Sequence, residues 1–199
     1  MFVKKINLTV TGITAALLFA ASAPAASVAI TPALPSVLLE EEPEFDIFVR
    51  IPGIIGGATH PAYQGWIQVE SSGMDLTNGA TLSMMGGAGG AGRVRLSEMV
   101  LSGGLDMALP PLVAACATAQ PFDKVEIHFL RTDGSSALPA LEIGLGQVLI
   151  TKVEHVFDPD PQQQMSLLFG KVQWRTRSAS GQTQFACWDM VKNKACSAF

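Results

Sequence analysis

Charge is scarce in this 199-residue chain: only 15 % of residues are charged, and the formal net charge is −4. No basic stripe exists to neutralise phosphates, which excludes a nucleic-acid binder. Histidine is rarer still, at three residues, and His60, His128 and His155 do not pair at a metal-site spacing. His60 precedes Pro61 in a loop, His128 lies among polar strand positions, and His155 shares a face with Val153 and Phe157 as a core histidine would. No Gly-x-Ser-x-Gly elbow occurs. Glu98, Glu142 and Glu154 fall on expected strands with nothing to pair them into a glycosidase-like dyad. No Gly-Lys-Ser/Thr is present, and the glycine-rich "MMGGAGGAGRV" (84–94) runs into "RVRLSEMVL", a strand pattern and not a helix. A phosphate cradle needs the helix. These absences point to a non-enzymatic protein with no cofactor and no metal. The glycines then belong to a long connection between strands.

The apolar run near the start is too short to span a bilayer. Lys4 and Lys5, the core "ITAALLFAA" (13–21) and the small residues of "Ala23-Pro24-Ala25" form a signal peptide cleaved between Ala25 and Ala26. The mature protein is then exported, periplasmic or extracellular, without stable membrane insertion. Residues 26–44 hold Pro32, Pro35, Pro43 and the acidic run Glu40–Glu42 without a strong period, and read as a linker. The domain occupies 45–199.

Within that domain the period is two. Phe45, Ile47, Val49 and Ile51 share a face, as do Ile67 with Val69, and Val125 with Ile127 and Phe129. Further strand patterns cover 92–96, 142–156, 165–178 and 182–190, with "SASG" as a turn and with Gly144 and Gly146 marking a bend or close approach. At least seven strands predict a mainly β fold, two antiparallel sheets forming a barrel or sandwich. "LPPLVAACATAQP" (109–121) predicts one short flanking helix, prolines in its first turn, with Leu112, Val113 and Cys116 facing the sheets. Cys187 and Cys196 are a candidate disulfide. The bridge requires the chain to reverse near Lys192–Asn193, since a continuous strand would hold them ~30 Å apart.

An ordered set of segments resembles the Hcp family, the tube subunits of type VI secretion: "FDIFVRIPGIIG" (45–56), "HPAYQGWIQVESSG" (60–73), "GGAGGAGRVRLSEMVLSGGLD" (86–106), "LPPLVAACATA" (109–119) and "CWDMVKNK" (187–194). The resemblance implies six copies closing into a ring, rings stacking into a hollow tube, and effector proteins carried in the lumen. It also implies that the loop Thr77–Gly92, with Met84, Met85, Gly86, Gly87, Gly89, Gly90 and Gly92, reaches a neighbouring subunit. A free, unbound loop is the alternative. The signal peptide departs from the family pattern, because tube subunits assemble in the cytosol. Two other readings therefore stand beside the tube: an exported β module binding an envelope component, and a secreted effector using the fold as a carrier.

Overall fold

Alternating apolar side chains draw this chain into antiparallel strands, and the longest pair of them organises the rest. The computed structural model describes residues 45–80, 93–133, 138–157 and 159–199. Among these, the strands are β1 (Phe45–Arg50), β2 (Ile67–Val69), β3 (Ser71–Gly73), β4 (Leu76–Asn78), β5 (Val94–Leu96) and β6 (Met99–Gly104). The helix α1 (Leu109–Ala117) follows, then β7 (Pro121–Arg131), β8 (Leu141–Phe157), β9 (Pro161–Arg177), β10 (Thr183–Asp189) and β11 (Lys194–Ala195).

Nine strands share one sheet, in the order β11-β10-β9-β8-β7-β1-β2, with β3 on β6 and β6 on β9. The remaining pair, β4–β5, is separate. The architecture is antiparallel and mainly β, as expected. It is not a closed barrel, because β11 and β2 stand at opposite ends of the order. The expected single strand through "RVRLSEMVL" is instead two, β5 and β6, which pair with different partners. Ser97 and Glu98 separate them, so Glu98 does not lie on a strand.

β9 changes neighbour along its length. Its first half pairs with β6 up to Leu167↔Met99, and its second half pairs with β10 from Lys171↔Asp189. The β8–β9 register slips between Ile150 and Lys152, and Gln147 adopts a positive φ of 57°. Such irregularities bend a strand and let one hairpin serve two parts of a sheet.

The core lies on the inward faces. Val49, Ile67, Val125, Ile127, Leu145, Val148, Leu167 and Val172 are all 0 % exposed, each contributing about 1.5–3 kcal/mol through burial. The helix packs on β8 through Leu112 and Ala115, while Val113 points outward, against expectation. A 3.6-residue period allows Leu112 and Ala115 on one face but not their neighbour. The N-cap position is Ala108, with no side-chain cap, and Asp106 holds the turn before it: one carboxylate oxygen accepts the Ala108 N–H at 2.7 Å and the other the Gly57 N–H at 2.8 Å. One short acid thus supports the helix start and pins the loop after β1.

Candidate interaction surface

The base of the glycine-rich segment is a two-stranded arm. Leu76, Thr77 and Asn78 of β4 face Leu96, Arg95 and Val94 of β5. Ser97 N–H donates to the Asp75 carbonyl at 2.9 Å, and Asp75 N–H donates to Ser97 Oγ at 2.7 Å, which anchors the arm where it leaves the sheet. All three β4 residues are exposed. Thr77, the first residue of the expected inter-subunit loop, therefore stands on this arm. Met84, Met85, Gly86, Gly87, Gly89, Gly90 and Gly92 lie outside the described residues, as do Ala25 and Ala26.

One groove runs along β5 and a second lies at the foot of the arm. The first, of about 400 Å³, is lined by Arg93–Ser97 together with Leu168, Phe169 and Met190. It sits where β9 passes from β6 to β10. The other, of about 470 Å³, is bordered by acids Asp75 and Glu98 along with Met74 and Val100. The Val94 N–H points to the first groove's side and donates to Asn193 Oδ1 at 3.2 Å, tying the arm to the turn after β10. Arg93 and Arg95 were not singled out from the sequence, although the Arg-Val-Arg-Leu alternation already places both on one face.

That turn carries the cysteines. After β10 the chain reverses over 190–193, held by Lys192 N–H donating to Asp189 Oδ1 at 2.8 Å and by Asn193 at a φ of 49°. Trp188 then faces Ala195, and Cys187 and Cys196 are joined as a disulfide with Cα atoms 5.1 Å apart. Beyond it, Phe199 N–H donates to Gln173 Oε1 at 3.1 Å. The Phe199 ring and the Gln173 side chain lie over Gly146 and Gly144, where a Cβ would meet either at 2.8 Å. The two glycines admit side chains from neighbouring segments.

The histidines separate. His155 is exposed near the β8–β9 turn, with its ring 5.4 Å from that of Phe157, and is not a core residue. The hairpin extends past the packed region, so its alternating face has nothing to cover it. His60 accepts the Ala62 N–H at 3.2 Å. His128 joins an aromatic group on the outer sheet face: Phe48 stacks on Tyr63 at 4.3 Å, and His128 Nδ1 lies 3.3 Å from the Tyr63 hydroxyl. Burial lowers the His128 pKa below its ordinary 6.5, with Glu142 pulling the other way. Burial and Glu142 both raise the Tyr63 pKa above 10.0. Glu142 is held by Arg175 at 2.9 Å and Arg177 at 3.7 Å, and Glu154 by Lys152 at 2.6 Å. Among the described residues no group of three or more His, Cys, Asp or Glu could hold a metal ion, and no helix is long and apolar enough to cross a membrane.

The described sheet, helix and arm can be compared with known proteins. The family model for "Type VI secretion system effector, Hcp" matches residues 48–175. The chain belongs to the Hcp family. Solved structures share its fold: Hcp1 from Salmonella typhimurium, at 20 % identity and a TM-score of 0.65, covers 77 % of this chain and 99 % of its own. A type six secretion system protein, at 17 % identity and a TM-score of 0.68, covers 76 % and 99 %. A type VI secretion system effector from Yersinia pestis, at 21 % identity and a TM-score of 0.60, covers 72 % and 99 %. No curated protein matches the chain. As an Hcp-type protein of type VI secretion, it belongs to a family of structural tube proteins that form rings.

Proposed function

We propose that the mature chain closes into rings of six that stack into a hollow tube and carry secreted effector proteins, without catalysis. The family match over residues 48–175 carries this reading, and the exposed β4–β5 arm supports it. A ring repeats one heterologous contact until it closes. An arm standing outside the main sheet offers such a contact, and the glycines that follow it in the sequence suit close backbone approach. The test is the mass of purified residues 26–199 by light scattering and native mass spectrometry. A six-fold particle is expected. Monomer alone from micromolar to millimolar concentration overturns the reading.

A second reading has its own observation. The Cys187–Cys196 disulfide suits an oxidising compartment, as does the signal peptide expected over residues 1–25. These favour an exported envelope module that keeps the fold but is not driven by a contractile sheath. Mass spectrometry of protein from its native host separates the two. An N-terminus at Ala26 in an exported fraction supports the envelope module, and a cytosolic product retaining residues 1–25 supports the ordinary tube.

A further inference from the structure

We propose that the acidic run Glu40–Glu42 of one copy docks in the arginine-lined groove between β5 and β9 of a second copy. The proposal shares with the ring reading only the premise that copies associate.

The groove has the chemistry to receive such a segment. Arg93 and Arg95 are exposed at its rim, and among the described residues neither makes an ion pair. Its floor is apolar: Phe169 is buried, Leu168 remains 48 % exposed, and Leu96 and Met190 complete it. The ladder alternates, with Ser97 bonded to Asp75, so the backbone groups of Val94 and Leu96 point away from β4 towards this side; Asn193 already holds the Val94 N–H, which leaves Leu96 to face the segment. An extended segment with aliphatic residues beside acids matches this combination. "VLLEEE" (37–42) has that composition, with Leu38 and Leu39 next to the acids. The groove at the foot of the arm, between Gly73–Asp75 and Ser97–Val100, presents Asp75 and Glu98 and repels the same run. Opposed charge patterns on two adjacent grooves select one of them.

Reach decides whose segment it is. Glu40 precedes Phe45 by five residues, which span at most about 18 Å. Phe45 pairs with Arg131, beyond Phe129, which pairs with Leu141, and Leu141 pairs with Thr176. Phe45 thus lies level with the end of β9 at or past Thr176, three strands away. Thr176 and Leu168 are eight residues apart on β9, about 26 Å along the strand. Along the sheet a chain's own acidic run falls short of its own groove, so the proposal assigns the segment to a second copy.

The test uses residues 26–199, which contain every described strand and the whole core, with p-benzoylphenylalanine at position 39. Two versions with different affinity tags ahead of residue 26 are co-expressed, irradiated and mapped by mass spectrometry. Crosslinks bridging the two tags and landing on residues 93–97, 168–169 or 190 are expected. They should fall about tenfold in Arg93→Glu/Arg95→Glu and return when Glu40→Lys/Glu41→Lys/Glu42→Lys is added. Circular dichroism checks the fold of each variant. Should the reversal disturb folding, the unaltered arginines in about 0.5 M salt must show the same loss, since exposed charge contacts are screened. Groove crosslinks confined within single chains, crosslinks elsewhere, or crosslinks indifferent to both charge reversal and salt overturn the proposal. Light scattering on the same samples keeps the two readings apart. Six-fold particles without groove crosslinks sink the docking and leave the ring, while bridging crosslinks without six-fold particles do the reverse.

Discussion

The sheet around β8–β9 and the β4–β5 arm are written in the same alternating pattern, but only the sheet has something to bury against. In the sheet, the inward residues Leu145, Leu167 and Val172 are wholly enclosed. In the arm, Leu76 is 56 % exposed and the ladder is three residue pairs long. A two-stranded ribbon of that length has marginal stability alone. The sheet's shape is set by its own core. The arm depends on its anchor at Asp75 and Ser97 and on whatever packs against it.

The largest effect expected from this contrast is on folding. Leu167→Ala should destabilise the monomer by about 2–5 kcal/mol, while Leu76→Ala should change it by less than about 0.5 kcal/mol. Denaturant titration of both variants measures the difference, and equal losses would erase the distinction between sheet and arm.

The disulfide comes next. Replacing Cys187 and Cys196 with serine frees the tail whose Phe199 ring covers Gly146. Closing a loop this short is worth about 2–3 kcal/mol in the chain-entropy account. Calorimetry with and without a dithiol reductant checks it, and an unchanged Tm under full reduction would contradict it.

Glycine variants sharpen the comparison further. A Cβ on Gly103 would meet the Val69 Cα at 2.9 Å and the Glu70 N at 3.1 Å, both backbone atoms, whereas Gly79 in the arm faces open space. Gly103→Ala should cost about 1–3 kcal/mol and Gly79→Ala almost nothing. Gly87→Val/Gly90→Val should leave the circular dichroism native and shift the assembly towards monomer. An unchanged assembly distribution would show the glycine segment to be a free connection.

The smallest effect is the pH dependence at His128. Its folded pKa is lowered, so between the folded value and the unfolded 6.5 the unfolded chain binds more protons. Its contribution is complete above 6.5 and declines as pH falls through that window. His128→Gln should flatten this small slope in urea titrations run from about pH 5 to pH 8. A slope identical to that of the unaltered protein would assign the effect to other groups.

Much of this was legible in the residues because strands are local. Ile47 and Val49, or Val125 and Ile127, declare an inward face through a period of two, and the turn at "SASG" and the helix after Leu109 follow from nearby chemistry. Burial set by distant segments was not legible. Phe48 and Leu130 stand on the faces expected to be polar, yet they are 1 % and 6 % exposed, because the loop carrying Ala58 and Tyr63 folds back over them. His155 was expected in a core that the hairpin outruns.

The main strand segments along the chain, the single helix and the inward faces of Ile47 and Val49, Ile67 and Val69, and Val125 and Ile127 were legible in the sequence alone, since alternation, proline and glycine act over a few residues. Tertiary structure decided the exchange of β9 from β6 to β10, the meeting of Cys187 with Cys196, and the placing of Arg93 and Arg95 beside Leu168 and Phe169. Each of these depends on where a chain segment returns after a reversal. That return is governed by packing between residues far apart in sequence, which no local pattern encodes.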